Sequence, residues 1–221
     1  VVPQTVIVSF YVGAAILVIT SALTIFKVKE YDPETYARYH GIDARANHEK
    51  VSWIDLLKQA PKAFWTVALV QFFCWFAFQY MWTYSAGAIA ENVWQTTDAS
   101  SSGYQAAGNW YGVLAAVQSI AAVVCSYVLA KVPNQYHKAG YFTSLALGAL
   151  GFFSIFFVTD QYVLVGSYIL IGIAWAGILT YPLTIVTNAL SGKHMGTYLG
   201  LFNGSICIPQ IIASLLSFGL Y

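Results

Sequence analysis

Six stretches of this chain stay apolar for the length of a membrane crossing, about 20 residues at 1.5 Å rise, with polar breaks between them. They fall near Thr5–Phe26, Ala63–Ala90, Ala107–Ala130, Ala139–Val158, Tyr162–Leu190 and Gly196–Tyr221. The pattern predicts an all-α polytopic membrane protein with six transmembrane helices. The one sizeable polar interval is Lys27–Lys62. Within it Asp32-Pro33-Glu34 reads as a helix start, with Gly41 as its stop. Ser52-Trp53-Ile54-Asp55 reads as a second start, a variant capping box. Trp53, Ile54, Leu56 and Leu57 are then expected to lie against the bilayer surface, before Pro61 turns the chain into the second span.

Charge orients these spans. All 10 Lys and Arg residues fall in alternate loops: Lys27–Lys62, Lys131–Lys138 and the turn at Lys193. The intervening loops hold only Glu91, Asp98 and Asp160. By the positive-inside rule the Lys27–Lys62 loop is cytoplasmic and the Tyr221 end external. Composition agrees, since 58% hydrophobic and 9% charged residues lie far from the roughly 25% charge of a soluble domain. A net charge of +1 without a basic patch gives no reason to expect nucleic acid as a partner. Val1 leads almost directly into a span, so the chain is expected to be part of a longer protein.

The candidate chemistry is uncharged. Gln71, Trp75, Gln79 and Trp82 are spaced four, four and three apart and share one helix face. Two amides and two indoles suit a sugar, because amides pair with hydroxyls and indole faces stack on pyranose C–H groups. Trp82 and Tyr84 suit the outer aromatic belt equally well; for the deeper Gln71, Trp75 and Gln79 the lining is the favoured reading over bonds between helices. Gln118 stands alone at mid-depth in the third span. In the last span Gly196, Gly200 and Gly204 repeat every fourth residue, a face expected to admit close helix approach. Asn203 and Gln210 lie on one side of that span, with Pro209 between them; Pro182 is expected to kink the fifth span.

Catalytic and metal chemistry have no carriers here. The histidines His40, His48, His137 and His194 lie in loops without ligand spacing, and no acid falls inside an expected span. Cys74, Cys125 and Cys207 fall within spans as small polarizable core residues. The chain is therefore read as no enzyme, with no cofactor beyond a coupling proton or sodium ion.

Gly172-Ile173, Pro182, Gly196, Leu199-Gly200, Asn203, Ile208-Pro209-Gln210 and Ser214 together resemble the tenth and eleventh helices of sucrose–proton and related glycoside–cation symporters of the major facilitator superfamily. Gln71-Phe72-Phe73 and Trp75 resemble their seventh helix. The resemblance implies a twelve-helix transporter in two bundles, of which this chain covers about the sixth to eleventh helices. On that template residues 1–26 are the last helix of an N-terminal bundle, 27–62 the central cytoplasmic loop, and 63–221 the first five helices of a C-terminal bundle. The family's plant members carry an acidic string where this chain has Trp82-Thr83-Tyr84-Ser85, so the resemblance does not by itself carry their substrate and coupling details to this chain. The expected function is import of a neutral disaccharide or glucoside, cation-coupled, across a plasma or bacterial inner membrane. Gln71, Trp75, Gln79, Gln118, Asn203 and Gln210 are the expected binding wall, with Gly196, Gly200, Gly204, Pro182 and Pro209 serving helix packing and gating. A non-transporting sugar sensor, or an obligate subunit, would carry the same wall.

Overall fold

The computed structural model describes residues 4–29, 31–40, 52–190 and 194–219, and the chain divides into two compact units, Val1–Lys50 and Val51–Tyr221. The first contains α1 (Gln4–Lys27), 24 residues with apolar side chains on every face, and α2 (Pro33–His40). An Asp32 carboxylate oxygen accepts the Thr35 N–H at 3.0 Å, the N-cap that the sequence predicts. The expected stop at Gly41 lies outside the described residues.

The second unit is a helical bundle. It comprises α3 (Trp53–Gln59), α4 (Lys62–Trp94), α5 (Ser102–Leu129), α6 (His137–Ile155), α7 (Val163–Ala189), α8 (Met195–Phe202) and α9 (Gly204–Phe218). Among the described residues there is no strand. Among the described residues five segments are long and apolar enough to cross a membrane: one each in α1, α4, α5 and α7, and one formed by α8 and α9 together. The expected fourth span corresponds to α6, which at 19 residues is long enough but, opening on His137 and Lys138, falls short in apolarity.

α7 is the post around which the bundle assembles. α5 and α6 pack along it, α4 meets both α5 and α7, and α9 lies against α4. Backbone contact is made where small residues face each other. A Cβ on Gly172 of α7 would stand 2.5 Å from the Gln118 carbonyl oxygen and 2.8 Å from Ala121 Cβ on α5. A Cβ on Gly151 of α6 would stand 2.7 Å from the Ser167 carbonyl oxygen, and Gly148 and Gly177 abut Ala174 and Ser144 in the same seam. This is the small-residue packing that replaces hydrophobic drive between helices in lipid.

Four expectations are corrected. Among the described residues, a Cβ placed on Gly196 or Gly200 would meet nothing within 4 Å, and one on Gly204 would meet only Ile208 of its own helix at 3.6 Å. The close approach expected there is made instead along α5, α6 and α7. The last span is also not continuous, for it breaks at Asn203. Ile206 and Cys207 both donate to the Asn203 carbonyl at 3.0 Å, so α9 starts anew there. α4 runs past Ala90 to Trp94 and takes in Glu91, because a helix need not stop where its apolar run stops; Gln95, at φ 53°, ends it. Finally, Ser52 occupies the N-cap of α3 without a side-chain cap bond, and Leu56 is buried rather than laid on lipid. Leu56 packs with Phe64, Val186, Tyr198 and Phe202, and its carbonyl accepts the Tyr198 hydroxyl at 3.1 Å.

Candidate functional site

The inward face of α4 is read off its burial. Phe64, Val67, Gln71, Trp75, Phe78, Met81, Ser85 and Ile89 recur every third or fourth residue and point into the bundle. The expected polar stripe therefore overlaps the core face of the helix. Its members meet different fates.

Gln71 is 1% exposed and engaged at both ends of its amide. Its Nε2 donates to the Ile178 carbonyl at 3.1 Å, and its Oε1 accepts the Tyr141 hydroxyl at 3.2 Å. The first bond has a cause in the sequence of α7. Pro182 has no N–H, so the carbonyl four residues earlier, that of Ile178, loses its helical partner. A freed carbonyl in an apolar bundle needs another donor, and the amide from α4 provides it. Gln71 is thus a cross-brace between α4, α6 and α7.

Trp75 is 9% exposed, and its indole N–H is buried with no hydrogen-bond partner among the described residues. Its ring meets those of Trp175 at 5.4 Å and Trp82 at 6.3 Å, both edge-to-face. Trp82 and Trp175 are 5.5 Å apart, and Phe78 sits 4.9 Å from Trp175. The result is a triad of indoles at the α4–α7 seam, graded from the buried Trp75 to Trp82 at 40% exposure. Such edge-to-face pairs hold rings in fixed orientation.

Beside the triad Gln79 is half-buried, and its Nε2 reaches the Ser214 hydroxyl of α9 at 3.4 Å. That length makes it a weak bond. Gln210, also half-buried on α9, donates to the Ile206 carbonyl of its own helix at 3.0 Å. Gln118 is 7% exposed, on the buried face of α5 with Leu114 and Ala122. Asn203 is exposed, at the break between α8 and α9. The structure therefore groups Trp75, Gln79 and Trp82 with Trp175 and Ser214, places Gln210 four residues from Ser214, and sets Gln71, Gln118 and Asn203 apart.

Sequence reasoning did not single out Trp175, Ser214 or Tyr141 as site residues. Tyr141 had no local signal. Trp175 had one: a large ring on a helix otherwise rich in small residues, four positions from the buried Ile171. Among the described residues no group of three His, Cys, Asp or Glu could hold a metal ion.

Long apolar helices packed around buried amides and indoles are the build of a polytopic membrane protein. The family model described as Major Facilitator Superfamily matches residues 5–214, and the chain belongs to that superfamily of membrane transporters. No curated protein and no solved structure matches it.

Proposed function

We propose that this transporter carries a neutral sugar, a disaccharide or glucoside, by alternating access coupled to a proton or sodium ion. The reading rests on one observation: the indoles of Trp75, Trp82 and Trp175 touch one another with the Gln79–Ser214 pair alongside and no charged side chain among them. An indole face stacks on the C–H face of a sugar ring, and amide and hydroxyl groups exchange hydrogen bonds with its hydroxyls. The buried, unpartnered Trp75 N–H is a donor that a solute hydroxyl would satisfy as the seam opens. An anion would call for a buried Lys or Arg here, and an organic cation for a buried acid. Binding near the bilayer midplane between two bundles suits this class of transporter.

In this reading Gln79 and Gln210 supply the hydroxyl contacts. Pro209 and the Asn203 break give α8 and α9 the freedom to shift as the cavity changes sides. Residues 1–26 belong to one bundle and 63–221 to the other, joined by a cytoplasmic 27–62 loop, with the Tyr221 end external in a plasma or bacterial inner membrane.

Counterflow of labelled maltose and sucrose in proteoliposomes of the full-length protein is the test. Wild type accumulates label. Trp75→Ala and Gln79→Ala lose at least about fivefold in initial rate, each removed contact being worth about 1–3 kcal/mol if it is made in the rate-limiting state. If neither sugar is taken up, or both variants transport at the wild-type rate, the proposal is wrong.

A further inference from the structure

Away from the indole triad, α4, α6 and α7 leave a groove of about 580 Å³ at the N-terminal ends of α4 and α6. Its floor is apolar, with Val70 of α4, Phe142 and Leu145 of α6, and Ile185 of α7. Two lysines stand in its lining, Lys62 in the first turn of α4 and Lys138 in the first turn of α6. Both are exposed, and no acid is among the residues that line the groove.

We propose that this groove is a binding site for one anionic phospholipid, its phosphodiester held between Lys62 and Lys138 and an acyl chain laid along the Val70–Leu145–Ile185 floor. Three physical points converge on that occupant. Two ammonium groups at one mouth repel each other, and a single phosphodiester relieves both. Long lysine stems keep their charged heads at headgroup level while their methylenes lie on apolar surface. The helices that carry these lysines begin on the side where every basic residue of the chain is found, the side on which anionic lipids concentrate and basic pockets between helices hold their headgroups. A zwitterionic lipid brings its own cation to the same mouth, and a free phosphate has nothing to place on the floor.

The site has a structural consequence. α4 and α6 are joined chiefly through α7, with Tyr141 of α6 donating to Gln71 of α4 at the groove wall. A lipid seated between Lys62 and Lys138 ties the ends of α4 and α6 directly.

The test is native mass spectrometry of the purified full-length protein with dioleoyl-phosphatidylglycerol, dioleoyl-phosphatidylcholine or glycerol 1-phosphate. Wild type retains phosphatidylglycerol at least about tenfold over phosphatidylcholine, the scale set by two basic side chains at a membrane surface. The Lys62→Gln/Lys138→Gln double variant loses that preference. The Lys62→Arg/Lys138→Arg variant keeps it, and Lys131→Gln, outside the groove, leaves it unchanged. Leu145→Trp, which fills the floor without altering charge, lowers retention as well. Equal retention of the two lipids by wild type overturns the proposal. So does an undiminished preference in the Lys→Gln double variant, or displacement of the lipid by glycerol 1-phosphate at equal concentration, which would make this a phosphate site rather than a lipid site.

Discussion

Gln71→Leu is the sharpest perturbation the bundle allows, because its cost depends on a proline 111 positions later in the chain. The substitution keeps the volume and removes both hydrogen bonds of a side chain that is 1% exposed. It leaves the Ile178 carbonyl and the Tyr141 hydroxyl without their donor and acceptor. An orphaned buried polar group costs about 1–3 kcal/mol, and hydrogen bonds between membrane helices average about 0.6 with a maximum near 1.7 kcal/mol. The two losses together come to about 2 kcal/mol, split about evenly. Pro182→Ala then changes the arithmetic. An alanine there supplies the N–H that Ile178 lacks, so the carbonyl no longer needs Gln71. In that background Gln71→Leu should cost only the Tyr141 part, about 1 kcal/mol, giving a coupling of about 1 kcal/mol between residues on different helices. Equilibrium unfolding of the four proteins in mixed detergent micelles reads the cycle directly. If Gln71→Leu costs the same with and without Pro182, the bond to Ile178 is not there to satisfy the proline, and the account of Gln71 as a cross-brace fails.

Two further predictions use the same physics elsewhere. Gly172→Ala puts a methyl 2.5 Å from a backbone oxygen of α5, so α5 must move; overpacking of this kind costs about 1–3 kcal/mol, read as a fall in Tm of several degrees. Gly200→Ala meets nothing within 4 Å and gains about 1 kcal/mol of helix preference, so its Tm should hold or rise; the opposite order would refute the division between packed and unpacked glycines. In the α4–α5 loop, Ser100 donates its N–H at 2.9 Å and its hydroxyl at 2.7 Å to one Asp98 carboxylate oxygen, and these bonds hold that carboxyl below its ordinary value. A folded-state value that is lowered favours the folded loop above the ordinary carboxylate range, and the benefit disappears as pH falls through the lowered value. Carbon-13 titration of Asp98 should therefore move upward in Ser100→Ala, and an unchanged midpoint would show that the hydroxyl bond is not made in solution.

What the sequence makes legible, and what it hides, follows from how far each signal reaches. Apolar length placed α4, α5 and α7, because lipid forces a spanning helix to satisfy its own backbone and leaves hydropathy as the strongest constraint on the chain. The end of α4 was hidden, since Glu91 and Asn92 are polar yet still helical, and only Gln95 with its positive φ closes the helix. Gln71 was legible as a deep amide but not as a brace. Its partner is a carbonyl that becomes needy only through Pro182, and nothing local to Gln71 records which helix will present it. The glycines show the same limit in reverse. The regular spacing of Gly196, Gly200 and Gly204 states a face, while whether another helix lies on that face is a tertiary fact. Gly148, Gly151, Gly172 and Gly177 make the contacts, and no single helical repeat connects them.

The two prolines bring these threads to one point. Both break a backbone ladder, but the surroundings treat the breaks differently. At Pro182 the freed carbonyl is taken by Gln71, the helix around it is buried, and α5 and α6 press on α7 through glycines; the break is braced. Pro209 follows a second discontinuity at Asn203 by six residues, on a helix joined to α4 through a side-chain bond of 3.4 Å. Local opening costs least where ladder bonds are missing and cross-helix bonds are long. α7 is thus braced on several sides, α8 is anchored through Tyr198 and Phe202, and α9 beyond Asn203 is held to α4 by packing and one long side-chain bond. The half-buried Gln79, Gln210 and Ser214 are carried by α4 and α9, so the polar groups proposed to meet a solute belong to the helix pair whose one side-chain bond is long and weak.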